Sequence, residues 1–304
     1  MANLKAIRKR ISSVKGTQKI TRAMKMVAGA RLARAQQRIV ALRPYAVKTG
    51  EVLGEVTEAL GESGGMDEPH PLLARRPEKR TLILVITSDR GQCGAFNSNI
   101  VKAADRLWKE KEAAGVEVQL ATIGRKGRDF FTRRKAPLFH TFTDVWEKVD
   151  FAQARTIART LLIPFLNESV DSVYLVYNEF KSAMSQRVVA EPLFPLRSAA
   201  PAQADEGGHG APADWEKHRE FLFEPDQKML LERLVPMYVE ITILRALFES
   251  TAAELGARMT AMDAATKNAS EMISKLTLIY NRARQAAITT ELMEIIGGAE
   301  ALRE

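Results

Sequence analysis

Leu4, Ile7, Ile11 and Val14 follow one another at 3-4-3 spacing, which in a helix of 3.6 residues per turn aligns them as a narrow apolar stripe. The pattern predicts a long N-terminal helix whose stripe slips at Gly16 and Thr17 and resumes at Ile20, Met24 and Val27. Ala28, Ala30, Ala33 and Ala35 favour continuation, Val52, Leu53, Val56 and Leu60 carry it towards Gly61, and Pro44 should bend it. From 61 to 77 the chain holds Gly64, Gly65, Pro69 and Pro71 and reads as a connecting loop.

The texture then changes. Residues 81–87 (TLILVIT) form a short apolar, partly β-branched run that reads as a buried strand, followed by a Gly-rich turn and a helix over 97–114. Strands are predicted at 116–123, 138–142, 172–180 and 186–193, with helices at 125–134 and 151–167. Strands alternating with helices argue for an α/β layer structure with a largely parallel sheet. Residues 197–213 (RSAAPAQADEGGHGAPA) have almost no apolar bulk, so they are expected to form a mobile surface loop.

The last helix is expected to start near Asp226 and to run almost to the end, with an irregularity at Pro236. From Leu255 onwards Met259, Met262, Thr266, Ala269, Ile273, Leu276, Tyr280, Ala283 and Ala287 keep a 4-3 alternation, which is coiled-coil spacing. The seam then slips by one residue and resumes at Ile288, Leu292, Ile295, Ala299 and Leu302. A helix over 226–302 would measure roughly 115 Å at ~1.5 Å per residue, longer than a compact domain is wide. The N-terminal segment is the other long helix able to cover its seam. The predicted fold is therefore α/β with a long antiparallel coiled coil: residues 1–60 and 226–304 form a discontinuous shaft, and residues 80–225 a Rossmann-like foot domain.

Composition narrows the options. With 304 residues, 46% of them hydrophobic and 27% charged, the chain has material for one or two cores and is not disordered throughout. Its longest aliphatic run, 82–86, falls far short of the ~20 residues a spanning helix needs. The single cysteine, Cys93, cannot pair within the chain, which fits a reducing compartment. The net charge of +8 is local, because the first 50 residues hold 13 Lys+Arg and no Asp or Glu. That start resembles an organelle transit peptide in composition, but without a cleavage-like site it reads as mature protein. A basic helix suits nucleic acid, an anionic membrane surface or an acidic protein partner. Tyr45 is the one aromatic in the first 50 residues, which argues against base stacking and favours the acidic partner.

Chemistry is sparse. The loop 88–97 (SDRGQCGAFN) follows a strand and opens a helix, where phosphate-binding loops sit, yet it has neither GxGxxG spacing nor a Lys-Ser/Thr pair after the glycines. It reads as a tight turn in which Asp89 and Asn97 make turn and capping hydrogen bonds. The basic turn Gly124-Arg125-Lys126-Gly127 reads as a solvated loop. His70, His140, His209 and His218 are scattered without metal-ligand or catalytic spacing. No catalytic residue, metal ligand or cofactor site is expected. Three classes remain open at this point: a shaft-like interaction protein, a nucleic-acid-associated coiled coil, and an α/β enzyme using the 88–97 loop.

Three blocks in order, residues 18–28 (QKITRAMKMVA), the loop 88–97, and a tail made of Arg258-Met259 through Asn268, 280–285 (YNRARQ) and 288–292 (ITTEL), closely resemble the γ subunit of bacterial F-type ATP synthases. The resemblance covers nearly the whole chain. Gln92 stands where Leu is common in the family, 197–213 is longer than in many bacterial members, and the cysteine pair of the redox-regulated chloroplast forms is missing. The resemblance implies a rotor shaft of a proton-translocating synthase, not a catalyst. Its expected partners are the α and β subunits as a hexamer, the ε subunit and the c-subunit ring, at the cytoplasmic side of the cell inner membrane. It further implies that Met24 and Lys25 face acidic loops of the β subunits, that Arg258 braces the opposite helix, and that Arg284, Gln285, Thr289, Glu291 and Glu294 engage the hexamer. Phe221, Phe223 and Glu224 match its ε and c-ring contact strand. The apolar end from Ile288 to Leu302 outlasts any partner helix and needs an external sleeve.

Overall fold

A computed structural model of the chain describes residues 4–62, 71, 76–196 and 227–301. Two long helices, α1 (Leu4–Glu62) and α5 (Gln227–Ala301), flank a five-stranded sheet and three shorter helices. Pro44 lies inside α1 and Pro236 inside α5, and neither ends its helix. The sheet holds β1 (Arg80–Ile86), β2 (Glu117–Ile123), β3 (Leu138–Phe142), β4 (Ser172–Phe180) and β5 (Gln186–Phe194) in the order β3-β2-β1-β4-β5. The first four strands are parallel and β5 returns antiparallel to β4. Between them run α2 (Phe96–Ala113), α3 (Arg125–Arg133) and α4 (Phe151–Leu166). The predicted loop 197–213, most of the 61–77 connection, and Phe221, Phe223 and Glu224 lie outside the described residues.

A parallel sheet carries helices on both faces, so its strands need apolar residues at every position. β1 meets that requirement: Leu82, Leu84 and Ile86 enter one core, Ile83 and Val85 the other, and all five are fully buried. The second core is closed by α2 and α3 through Ile100, Val101, Ala104 and Phe131. The first is closed by α4 and by both long helices, through Leu53 and Val56 of α1 and Leu231, Val235, Val239, Ile243 and Leu247 of α5. At ~1.5 to 3 kcal/mol for each fully buried aliphatic side chain, these residues tie the lower part of the shaft into the α/β layer.

Candidate partner interface

The two long helices cover each other along the shaft. Thr266 Oγ1 donates to Thr21 Oγ1 at 2.8 Å, Lys25 pairs with Asp263 at 2.6 Å, Gly29 faces Met259, and Tyr45 Oη reaches Met237 Sδ at 3.3 Å. Advancing along α1 retreats along α5, so the pair is antiparallel. Every residue of the predicted α5 seam from Leu255 to Ala287 is buried or half-buried, and between 267 and 287 they are the only ones that are not exposed.

The α1 stripe departs from expectation. It does not slip at Gly16 and Thr17, and continues from Val14 through Gln18, Thr21, Met24 and Ala28 to Leu32 and Ala35. Ile20 and Val27, expected in the stripe, are 62% and 52% exposed, and Met26 stands out beside them at 63%. Thr21 is acceptable at a buried position because its hydroxyl donates to Gln18 O at 3.1 Å and accepts from Thr266 across the seam. The same register brings Leu4 opposite the turn around Ala283. Beyond it Ile288, Leu292, Met293, Ile295 and Ile296 are all more than half exposed, and Arg284, Gln285, Thr289, Glu291 and Glu294 are exposed among them.

In a doubly wound sheet the ligand crevice lies at the carboxyl ends of the strands where the chain reverses its direction of winding. Here that point is between β1 and β4, whose neighbouring helices α2 and α4 pack on opposite faces. α5 runs through it. A Cβ on Gly94 would lie 3.8 Å from Ala261 Cβ and 3.9 Å from Ala257 O, and one on Gly256 would lie 3.3 Å from Ala183 Cα and O. Arg258 donates to Gly91 O at 3.1 Å and pairs with Glu254 at 2.7 Å, both side chains being nearly buried. This corrects the expectation that Arg258 braces the opposite helix: its guanidinium clamps the β1–α2 loop.

The loop itself is held by Asn97, whose Oδ1 accepts from Ser88 N at 3.0 Å while its Nδ2 donates to Ser88 Oγ at 2.8 Å. Asp89 makes a capping bond, accepting from Arg125 N at the start of α3 at 2.9 Å. Gly124 has φ +88 and a Cβ there would collide with Thr87 O, so only glycine allows that close approach. Cys93 is 2% exposed, and burial pushes its thiol up, which makes it packing material.

A polar cluster at the junction carried no motif in the sequence. Arg245 of α5 donates to Glu191 Oε1 of β5 at 3.0 Å, and Tyr177 Oη of β4 donates to the same oxygen at 3.1 Å. One turn further along α5, Glu249 Oε2 is buried and makes no hydrogen bond with the described residues. Burial, only partly offset by Arg245, raises the Glu249 carboxyl to about 7, and nearby Glu179 and Glu191 push it in the same direction.

A seam completed by two distant chain segments, a crevice filled by the chain's own helix and an apolar helix end exposed among the described residues together define a shaft-like protein. The family model described as ATP synthase matches residues 3–302. The ATP synthase gamma chain of Sorangium cellulosum is 59% identical with both chains fully covered, and that of Geotalea uraniireducens 47% identical with the same coverage. Among solved structures, the central stalk and c-ring of Tetrahymena thermophila mitochondrial ATP synthase aligns with TM-score 0.60 and 26% identity over 81% of this chain and 99% of that one. A chain of the Euglena gracilis mitochondrial ATP synthase in rotational state 3 aligns with TM-score 0.64 and 20% identity over 98% and 94%. The chain belongs to the ATP synthase gamma-chain family.

Proposed function

We propose that the chain is the central rotor shaft of a proton-translocating ATP synthase, turning inside a hexamer of α and β subunits and coupling ion flow to ATP synthesis. The observation that carries this reading is the tip of α5, where five large apolar residues project at more than half exposure beyond the reach of α1. Such a surface calls for an apolar sleeve. The shaft comprises 1–60 and 226–304, and the foot 80–225 meets the ε subunit and the c-ring, with Phe221, Phe223 and Glu224 in that contact. Because the shaft is asymmetric about its axis, each orientation offers different contacts to each β subunit and so favours a different conformation of it. Met24, Lys25, Arg284, Gln285, Thr289, Glu291 and Glu294 make those contacts. Arg258 acts by holding the loop that seats the shaft.

In this reading the chain is a non-catalytic subunit, since α5 occupies the crevice where an α/β enzyme of this topology would hold a nucleotide. No helix among the described residues is long and apolar enough to cross a membrane, so association with the cell inner membrane, on its cytoplasmic side, is peripheral and runs through the complex. Reconstitution with α and β subunits tests the reading: the chain should copurify in a defined complex and confer rotation-dependent ATPase activity, while the chain alone shows no micromolar ATP affinity by calorimetry. Tight ATP binding by the isolated chain, or failure to assemble, would overturn it. The nucleic-acid reading has no support in the family match, which covers residues 3–302 with an ATP synthase model.

A further inference from the structure

We infer that the foot is locked to the shaft by a two-sided clasp on α5, formed by the β1–α2 loop and the β4–β5 turn, and that this clasp sets the angle at which torque passes between them. The inference rests on the rotor reading and adds to it the residues that transmit the load. On one side of α5, Gly256 and Thr260 lie a turn apart: a Cβ on Gly256 would lie 3.3 Å from Ala183 Cα and O, and the Thr260 hydroxyl shares its proton between Ala183 O at 3.2 Å and Gly256 O of its own helix at 3.1 Å. The Ala183 carbonyl also accepts from Gln186 Nε2, and Ser182 and Ser185 close the turn with a backbone bond of 2.9 Å. Around the helix, Ala257 and Ala261 meet Gly94, while Arg258, oriented by Glu254, donates to Gly91 O. Leu32 and Ala35 of α1 pack with Ala252, Leu255 and Ala183 on the remaining flank.

Helices that meet through long side chains shift by small rotamer adjustments, whereas small residues bring backbone against backbone and leave little room for one. Turning α5 one way drives Gly256 into Ala183, and turning it the other way breaks the Thr260 and Arg258 bonds to the two carbonyls. The contact therefore resists rotation of the foot about the shaft in both directions.

The assembled complex, with its membrane sector, supplies the test. In a Cys93→Ser background, Gly94→Cys with Ala261→Cys places two Cβ atoms near 3.8 Å, within the spacing of about 3.5 to 4.5 Å that a disulfide needs. Oxidation should leave hydrolysis and ion-driven synthesis within about twofold of the reduced complex, because the bond holds what the clasp already holds. Gly256→Leu should widen the angular fluctuations of a probe on the foot about twofold, with the tip of the shaft held in the hexamer, and the disulfide should restore them. Thr260→Val, which removes one bond and leaves the packing, should give a smaller widening and serves if Gly256→Leu fails to fold. Loss of turnover on oxidation beyond twofold, unchanged fluctuations in both variants, or widening that the disulfide does not reverse would each overturn the clasp. Failure of the parent chain to assemble with α and β subunits would instead overturn the rotor reading.

Discussion

The two halves of α5 are made of similar residues and meet opposite fates. Leu231, Val235, Val239, Ile243 and Leu247 are 0% exposed, while Ile288, Leu292, Ile295 and Ile296 are 52 to 72% exposed. Composition does not separate them. The lower half passes between a sheet, α4 and the end of α1, and the upper half runs past the point where α1 begins. An apolar stripe therefore reports that a partner exists, and the topology reports whether that partner is the chain itself.

The largest expected effect compares the halves directly. Leu247→Ala leaves a cavity in a closed core and should lower unfolding stability by about 2 to 5 kcal/mol, whereas Leu292→Ala in the isolated chain should change it by less than about 0.5 kcal/mol. Denaturant unfolding of both variants decides this. Equal losses would mean that the tip is packed against the chain's own residues.

The junction between the halves should respond to pH through Glu249, which Arg245 of α5, Glu179 of β4, Glu191 of β5 and Arg43 of α1 influence. Its folded pKa, about 7, lies above the ordinary 4.5, so the native state holds the extra proton between those values and loses stability as pH rises through them. Relative to Glu249→Gln, the wild type should lose on the order of 3 kcal/mol between pH 4.5 and about 7 and no more from this group above that. Parallel stability profiles for the two proteins would remove Glu249 from the account.

At the tip, Arg284→Ala with Gln285→Ala should leave assembly and tight-site nucleotide affinity near normal and slow steady-state hydrolysis by the complex several-fold, as loss of a charge-assisted bond worth ~1.5 to 3 kcal/mol in one rotary state would. Wild-type turnover would return both residues to a solvated face. The smallest effect belongs to the seam. Thr21→Val removes the bond between the helices and leaves Thr266 Oγ1 donating to Met262 O, so it should cost about 1 kcal/mol, and adding Thr266→Val should cost little more. Unchanged stability in Thr21→Val would show that the hydroxyl pair contributes nothing.

Local patterns carried much of this architecture. The strands 138–142 and 172–180 and the α5 seam were legible because they show in adjacent residues, as short apolar or β-branched runs in the strands and as a 3.5-residue period along the coiled coil. The α1 seam departs from its apolar pattern at Gln18 and Thr21 because Thr21 spends its proton on Gln18 O and accepts from Thr266, which lies far away in sequence. Ile20 and Val27 look like core residues to any local criterion. The filling of the β1/β4 crevice by Gly256, Ala257 and Ala261, and the Arg245–Glu191–Tyr177 cluster, join residues from distant elements and leave no periodic trace. Arg258 was marked by its motif, but its target, the Gly91 carbonyl, is a backbone group with no sequence signature.

If the exposed end of α5 is a bearing surface for an external partner, the partner must cover it in the complex. Leu292→Cys and, separately, Ile295→Cys in a Cys93→Ser background provide the direct measurement, as the rate of thiol labelling in the isolated chain and in the complex with α and β subunits. Labelling should be rapid in the isolated chain and about tenfold or more slower once the complex has formed. Labelling at the same rate in an assembled, hydrolysing complex would contradict the bearing role.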